Sequence, residues 1–212
     1  MDNNNEEKTF INASGVILSR KVSGENSLWI TLFLREKGII ETSSKFSGGD
    51  NEPFVWGNFA LRKKSKSKNY FIEDIEIFDD MLSLRKRKDT IMTAIKWTRA
   101  ISKYLIREHP DDDLLTNLYW SMKLLSEPKV PADASDWRFI WRWLQEWGLA
   151  PDFVNFHASM NFNSDEIYFL AQIAKSDTKG VIDLFSKPLN NKIRENIFKI
   201  AAKIAVKFLE EI

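Results

Sequence analysis

The sequence predicts an α+β protein: a five-stranded N-terminal barrel over residues 1–80, followed by an all-helical domain over residues 81–212. Two observations predict it. Between Phe10 and Phe78, five segments of strand character follow one another about every ten residues, each bounded by a turn signal. After Asp79 the apolar period lengthens from two to about 3.6.

The first segment, Phe10 to Val22, carries Val16, Ile17 and Leu18 and ends at Ser23-Gly24-Glu25-Asn26, where Gly24 suits a hairpin turn. The second starts at Ser27. Its Leu28, Ile30, Leu32 and Leu34 fall on one face and Trp29, Thr31, Phe33 and Arg35 on the other, because successive side chains alternate across a strand. Glu36-Lys37-Gly38 turns the chain into Ile39 to Phe46, and Ser47-Gly48-Gly49-Asp50 breaks it. Phe54 to Lys63 and Asn69 to Phe78 complete the set. Five strands without an intervening helix suggest closure.

In the second part, Asp89 is the expected N-cap of a helix reaching His109, with Pro110 ending it. Asp111 to Asp113 cap a helix carrying Leu114, Leu115, Leu118, Met122 and Leu125. Ser135 or Asp136 is expected to cap the next, where Trp137, Ile140, Trp141, Leu144 and Trp147 form one stripe and Gly148 stops the helix before Pro151. Ser164 to Lys175 and Asn190 to Ile212 supply the last two helices.

Thirty-one Lys and Arg stand against 30 Asp and Glu, so net charge by itself names no partner. Its distribution does. From Lys8 to Ile72 there are eleven basic and five acidic residues, whereas from Asp89 onward sixteen basic residues meet seventeen acidic ones. An anionic partner is therefore expected at the N-terminal third. With no cysteine and two histidines, disulfides, cysteine nucleophiles and cysteine-ligated zinc are excluded, and no cofactor is expected. There is no Gly-Lys pair of a phosphate-binding loop, no G-x-G-x-x-G, no G-x-S-x-G and no H-E-x-x-H, which argues against an enzyme. Glu73-Asp74-Glu76, Asp79-Asp80 and Asp111-Asp112-Asp113 read as solvated strand ends and helix caps rather than magnesium ligands. The polar start and the lack of a long apolar run predict a cytoplasmic protein with no membrane partner.

Strand count alone fits either an oligonucleotide-binding (OB) fold or an SH3-like barrel, and the placement of charge favours the former. In an OB-fold the nucleic acid crosses strands 2 and 3, flanked by the loops joining strands 1 to 2 and 4 to 5. Here the link between strands 4 and 5 holds Arg62, Lys63, Lys64, Lys66 and Lys68, while Arg35, Lys37 and Lys45 lie on or beside strands 2 and 3 and Arg20 and Lys21 end strand 1. These ten residues are the expected DNA contacts, made chiefly to phosphate and therefore steeply dependent on salt. Trp29, Phe33, Phe46, Trp56 and Phe59 are candidates for base stacking, although most aromatics in small barrels are core. Arg85-Lys86-Arg87-Lys88 reads as a solvated junction.

Ala13-Ser14-Gly15-Val16-Ile17-Leu18, then Gly24-Glu25, then Ile30-Thr31-Leu32-Phe33-Leu34-Arg35-Glu36-Lys37-Gly38-Ile39-Ile40 resembles the N-terminal domain of the bacterial DNA repair protein family RecO, with Lys45 at the basic position that follows the third strand. Gly148-Leu149-Ala150-Pro151-Asp152-Phe153 is similar to the G-L-x-P-x-L segment that this family carries before a four-cysteine zinc module. The resemblance spans about residues 10 to 155. It implies an OB domain binding single- and double-stranded DNA, a helical domain, and a recombination mediator that anneals complementary strands. The implied partners are a RecR-like protein and the C-terminal tail of the single-strand-binding protein, with nucleoid association when on DNA.

One departure is plain. Where zinc-containing relatives have cysteine pairs, this chain reads Val154-Asn155-Phe156-His157-Ala158-Ser159-Met160, so packing by Phe153, Phe156, Met160 and Phe162 must replace the metal, and His157 reads as a surface or hydrogen-bonded residue. Two other readings stay open. One is a generic OB module for RNA or single-stranded DNA, since phosphate contacts do not register the 2′-hydroxyl. The other is a protein-interaction adaptor using the tryptophan stripe.

Overall fold

A computed structural model of the chain describes residues 8–23, 27–45, 51–64, 69–152, 162–187 and 197–210. The protein is α+β, with five N-terminal strands followed by helices, as the sequence predicts. Strand β1 is Lys8–Val22, β2 Ser27–Leu34, β3 Gly38–Lys45, β4 Trp56–Lys64 and β5 Tyr70–Asp79. Antiparallel ladders join β1 to β2, β2 to β3, β4 to β5 and β1 to β4, and a short parallel ladder joins β3 to β5. Because β4 returns to β1, the strands close in the order β1-β2-β3-β5-β4.

Alternation in β2 behaves as the sequence predicts: Leu28, Ile30, Leu32 and Leu34 enter a core with Ile17, Ile40, Val55, Phe59 and Leu61. Each such side chain contributes roughly 1.5–3 kcal/mol relative to staying in water. Among the expected stacking aromatics, Phe33, Trp56 and Phe59 are fully buried and unavailable to a base. Phe46, the turn at Gly24 and the loop at 47–50 lie outside the described residues.

The chain divides into two compact units, 1–82 with 94–115, and 83–93 with 116–212. Helix α1 is Lys88–Tyr104, ending well short of the expected His109. The reason lies in the first unit. Residues after Tyr104 leave the helix to run beside β3: Arg107 bridges Ile39, the Glu108 N–H donates to the Ile39 carbonyl at 3.1 Å, and Arg107 pairs with Glu41 at 2.6 Å. The Asp112 carboxylate accepts from the Glu36 N–H at 2.8 Å, tying the start of α2 (Asp112–Leu125) to the β2–β3 turn. Asp111 caps α2 as expected, its Oδ1 accepting from the Leu114 N–H at 2.9 Å.

In the second unit α3 is Ala132–Glu146, with Pro131 as its N-cap; the expected caps Ser135 and Asp136 are inside the helix and buried. Of the expected stripe, Trp137, Ile140, Trp141 and Leu144 are buried and Trp147 is half-buried, and α3 also buries Phe139 and Trp143, which lie off that stripe, so its apolar face is wider than a single row. The Trp137 indole N–H donates to the Leu170 carbonyl at 3.1 Å. Helix α4 is Ser164–Lys175, started by a reciprocal pair between Asn163 and Glu166. Helix α5, Thr178–Ser186, is not among the helices that the sequence predicts; Asp177 caps it, its carboxylate accepting from the Gly180 N–H at 2.7 Å. The final expected helix is seen as α6, Ile197–Leu209. Residues 153–161, including His157, lie outside the described residues.

Arg138 and Arg142 of α3 donate to the Ser176 carbonyl at 3.2 and 2.9 Å, and the Arg142 Nε also donates to the Ala174 carbonyl at 3.2 Å, so two cations meet the C-terminal end of α4. Burial, with help from neighbouring Arg142, pushes the Arg138 guanidinium down to about 10, against the pull of Asp177. Burial likewise lowers Arg142, opposed by Glu146 and Asp177.

Gly38 and Gly148 both have positive φ, of 71° and 70°. A methyl on Gly38 would lie 2.2 Å from the His109 carbonyl oxygen, whereas one on Gly148 would meet nothing within 4 Å. Gly148→Ala is expected to cost about 1–2 kcal/mol in urea unfolding, the left-handed penalty alone. Gly38→Ala should cost about 1–3 kcal/mol more, because the His109 segment must also move; equal losses would remove the close approach from the argument.

Candidate nucleic-acid interface

Residues directly opposite in a ladder share a face of the sheet. Following the register from strand to strand, Lys21 faces Trp29, Trp29 faces Ser43, Ser43 faces Phe71, Phe71 faces Arg62, and Arg62 faces Phe10. Ile30, on the neighbouring position of β2, points into the core, so this row lies on the outer surface. It crosses all five strands near one end of the barrel. Phe10 is 63% exposed, Lys21 is exposed, and Trp29, Ser43, Phe71 and Arg62 are half-buried. Aromatic rings and cations thus alternate along the row, where the Arg62 guanidinium carbon sits 5.8 Å from the Phe71 ring centroid. Lys63 is one position further on the other face, its ammonium 4.8 Å from the ring centroid of Tyr70, which packs against the core.

The ten expected contacts separate into groups. Lys21, Arg62 and Lys63 lie at this end, and the backbone of Lys45 and Lys64 ends β3 and β4 there, opposite Ser27 and Lys8. The side chains of Lys45 and Lys64, and all of Lys66 and Lys68, lie outside the described residues. Arg35 and Lys37 are at the other end, in the β2–β3 turn. Six residue steps from Trp29 to Arg35, at about 3.3 Å each, put this turn roughly 20 Å from the row, beyond a screening length at physiological salt.

Two of the near cations already have anionic partners. A register shift between Ile17 and Ser19 rotates the end of β1, so that Arg20 faces core residue Ile30 and its guanidinium meets Glu52 at 2.6 Å. The Arg62 Nε donates to Glu73 at 2.5 Å, where the β4–β5 ladder also shifts register between Ala60 and Leu61. Extra residues at such bulges re-aim side chains, which period-two reading of a sequence does not register. Phe10 and Phe71 were missed as aromatic candidates; strict alternation against the apolar positions Ile11 and Ile72 was the available signal.

Beside the row, among the described residues, β3 and β5 hold the two pairs Thr42 to Tyr70 and Ser43 to Phe71. Past them lies a cleft of about 580 Å³, lined among others by Ser43, Ser44, Arg62, Phe71, Glu73 and Asp74. The other acidic residues have local duties: Glu76 accepts from Asn58 at 3.0 Å, and Asp79 and Asp80 accept from the backbone N–H groups of Met81 and Leu82 at 3.1 Å. Among the described residues no group of three histidine or carboxylate side chains is placed to hold a metal, and no helix is long and apolar enough to cross a membrane.

No known protein-family model matches the chain, and no curated protein matches it. The strand register and the charges on it are therefore what bear on function.

The Arg62–Glu73 pair, with Glu73 44% exposed, should be weak. A double-mutant cycle with Arg62→Ala and Glu73→Ala in urea unfolding is expected to give a coupling below about 1 kcal/mol. A larger value would mean that Arg62 is committed to the fold and not free to meet a ligand.

Proposed function

We propose that the first unit is an OB barrel binding single-stranded DNA across its outer row, and that the whole chain is a RecO-like recombination mediator lacking the cysteine zinc module. The observation that carries the reading is the row itself: stacking surfaces at Trp29, Phe71 and Phe10 alternate with cations at Lys21 and Arg62. Closure in the order β1-β2-β3-β5-β4 supports an OB barrel over a simple meander. In this reading Lys21, Arg62 to Lys64 at the end of β4, and Lys66 and Lys68 after it take phosphates by Coulomb attraction, while bases lie on the rings.

Of the residues that carry the family resemblance, Ile30 to Leu34 belong to β2, Arg35 to Lys37 to the turn after it, and Gly38 to Ile40 to β3. They support the reading as barrel-building residues, with Arg35 left at the far end from the row. The helical unit would serve the protein partners of a mediator: a RecR-like protein and the single-strand-binding protein's tail. Binding of double-stranded DNA and residence in the cytoplasm, on the nucleoid, belong to the same proposal. No covalent step is involved.

The test is anisotropy of a labelled single-stranded DNA across a salt series. Log affinity should fall with log salt at a slope of roughly 0.7 per phosphate contact. Lys21→Ala and Lys63→Ala should each flatten that slope, while Arg35→Ala and Lys37→Ala leave it unchanged. Trp29→Ala and Phe71→Ala should weaken binding by roughly 5- to 150-fold. Failure to bind DNA overturns the proposal. DNA binding without faster annealing of strands coated by the single-strand-binding protein keeps the OB module and removes the mediator; tighter binding of the matching RNA favours an RNA-binding module.

A further inference from the structure

The cleft between β3 and β5 adjoins the row yet differs from it in charge. Among the described residues, its wall holds one guanidinium, Arg62, against two carboxylates, Glu73 and Asp74. Glu73 is engaged with Arg62. Asp74 is exposed, and its carboxylate makes no ion pair or hydrogen bond among the described residues. Its ladder partner is Ala60, which stands between core residues Phe59 and Leu61, so Asp74 shares the outer face with Arg62 and Phe71. Ser43 and Ser44 of β3 also line the cleft.

A phosphate is repelled by such a wall, and a base edge rich in N–H donors is attracted to it. At about 580 Å³ the cleft has the volume of a small-molecule site, enough for one base with its sugar. Resting on the DNA-binding reading above, we infer that this cleft takes a single guanine from the bound strand. The ring stacks on Phe71, and its N1–H and exocyclic N2–H groups donate side by side to the Asp74 carboxylate. Thymine offers one N–H between two carbonyl oxygens, which face the carboxylate unfavourably. Adenine offers a single amino group and no ring N–H on that edge. The row thus supplies affinity, and the cleft supplies a preference for guanine that phosphate contacts cannot provide.

The test compares a labelled oligothymidylate with versions carrying one central dG, dI or dA, on the whole chain and on Asp74→Asn. The dG strand should bind roughly 5- to 150-fold tighter than oligothymidylate, as for other bidentate base contacts. The dI strand, which keeps N1–H and lacks the amino group, should fall between them, and the dA strand should gain little. In Asp74→Asn the dG-to-thymidylate ratio should drop toward one. Equal binding of all four strands with normal salt dependence overturns the guanine site while the DNA-binding reading stands. A dA gain equal to that of dG overturns it in favour of purine stacking alone. If none of the strands binds, the underlying reading fails and the cleft assignment with it.

Discussion

A single strand that pairs with two partners governs the first unit. β1 is fifteen residues long, pairs through its first nine residues with β4, and then pairs from Gly15 onward with β2. A strand of that length can shift partners and so return the sheet to its own start. Closure forces stagger. Passing once round the barrel along the row leads from Lys21 to Phe10 on the same strand, eleven positions apart by subtraction of their numbers. Residues far apart in sequence, near 10, 21, 29, 43, 62 and 71, are gathered into one band by that stagger.

The same closure sorts the charges. A surplus of basic residues in the first seventy positions reads as one cationic surface when the chain is written as a line. On the barrel it becomes a cationic end, a remote pair at Arg35 and Lys37, and two cations met by Glu52 and Glu73. What remains at the end is a modest cationic field with aromatic surface set into it. That balance suits a polymer with alternating charged and flat parts better than it suits a compact polyanion.

Much of this was legible beforehand. The five strands, the change to helical period after Asp79, the inward set of β2, and Asp111 as a helix cap all follow from local rules of alternation and capping. The end of α1 was not legible, because Glu108 and Arg107 give up helical bonding for contacts with Ile39 and Glu41 some seventy residues earlier. Nor was the N-cap of α3, where Pro131 begins the helix ahead of the more conventional Ser135 and Asp136. The short α5 escaped notice because nine residues give too few turns for a period to stand out.

At the candidate interface the division is sharper. Sequence by itself determined which third of the molecule carries surplus positive charge and that its aromatic residues sit in strands, since both are properties of composition and local alternation. Tertiary structure alone decided which of those residues meet. Bulges at Ile17–Ser19 and Ala60–Leu61 changed the facing of Arg20 and the neighbourhood of Arg62, and the brief β3–β5 pairing opened the cleft. The physical reason is that register is a relation between strands distant in the chain, and one inserted residue reverses every side chain beyond it.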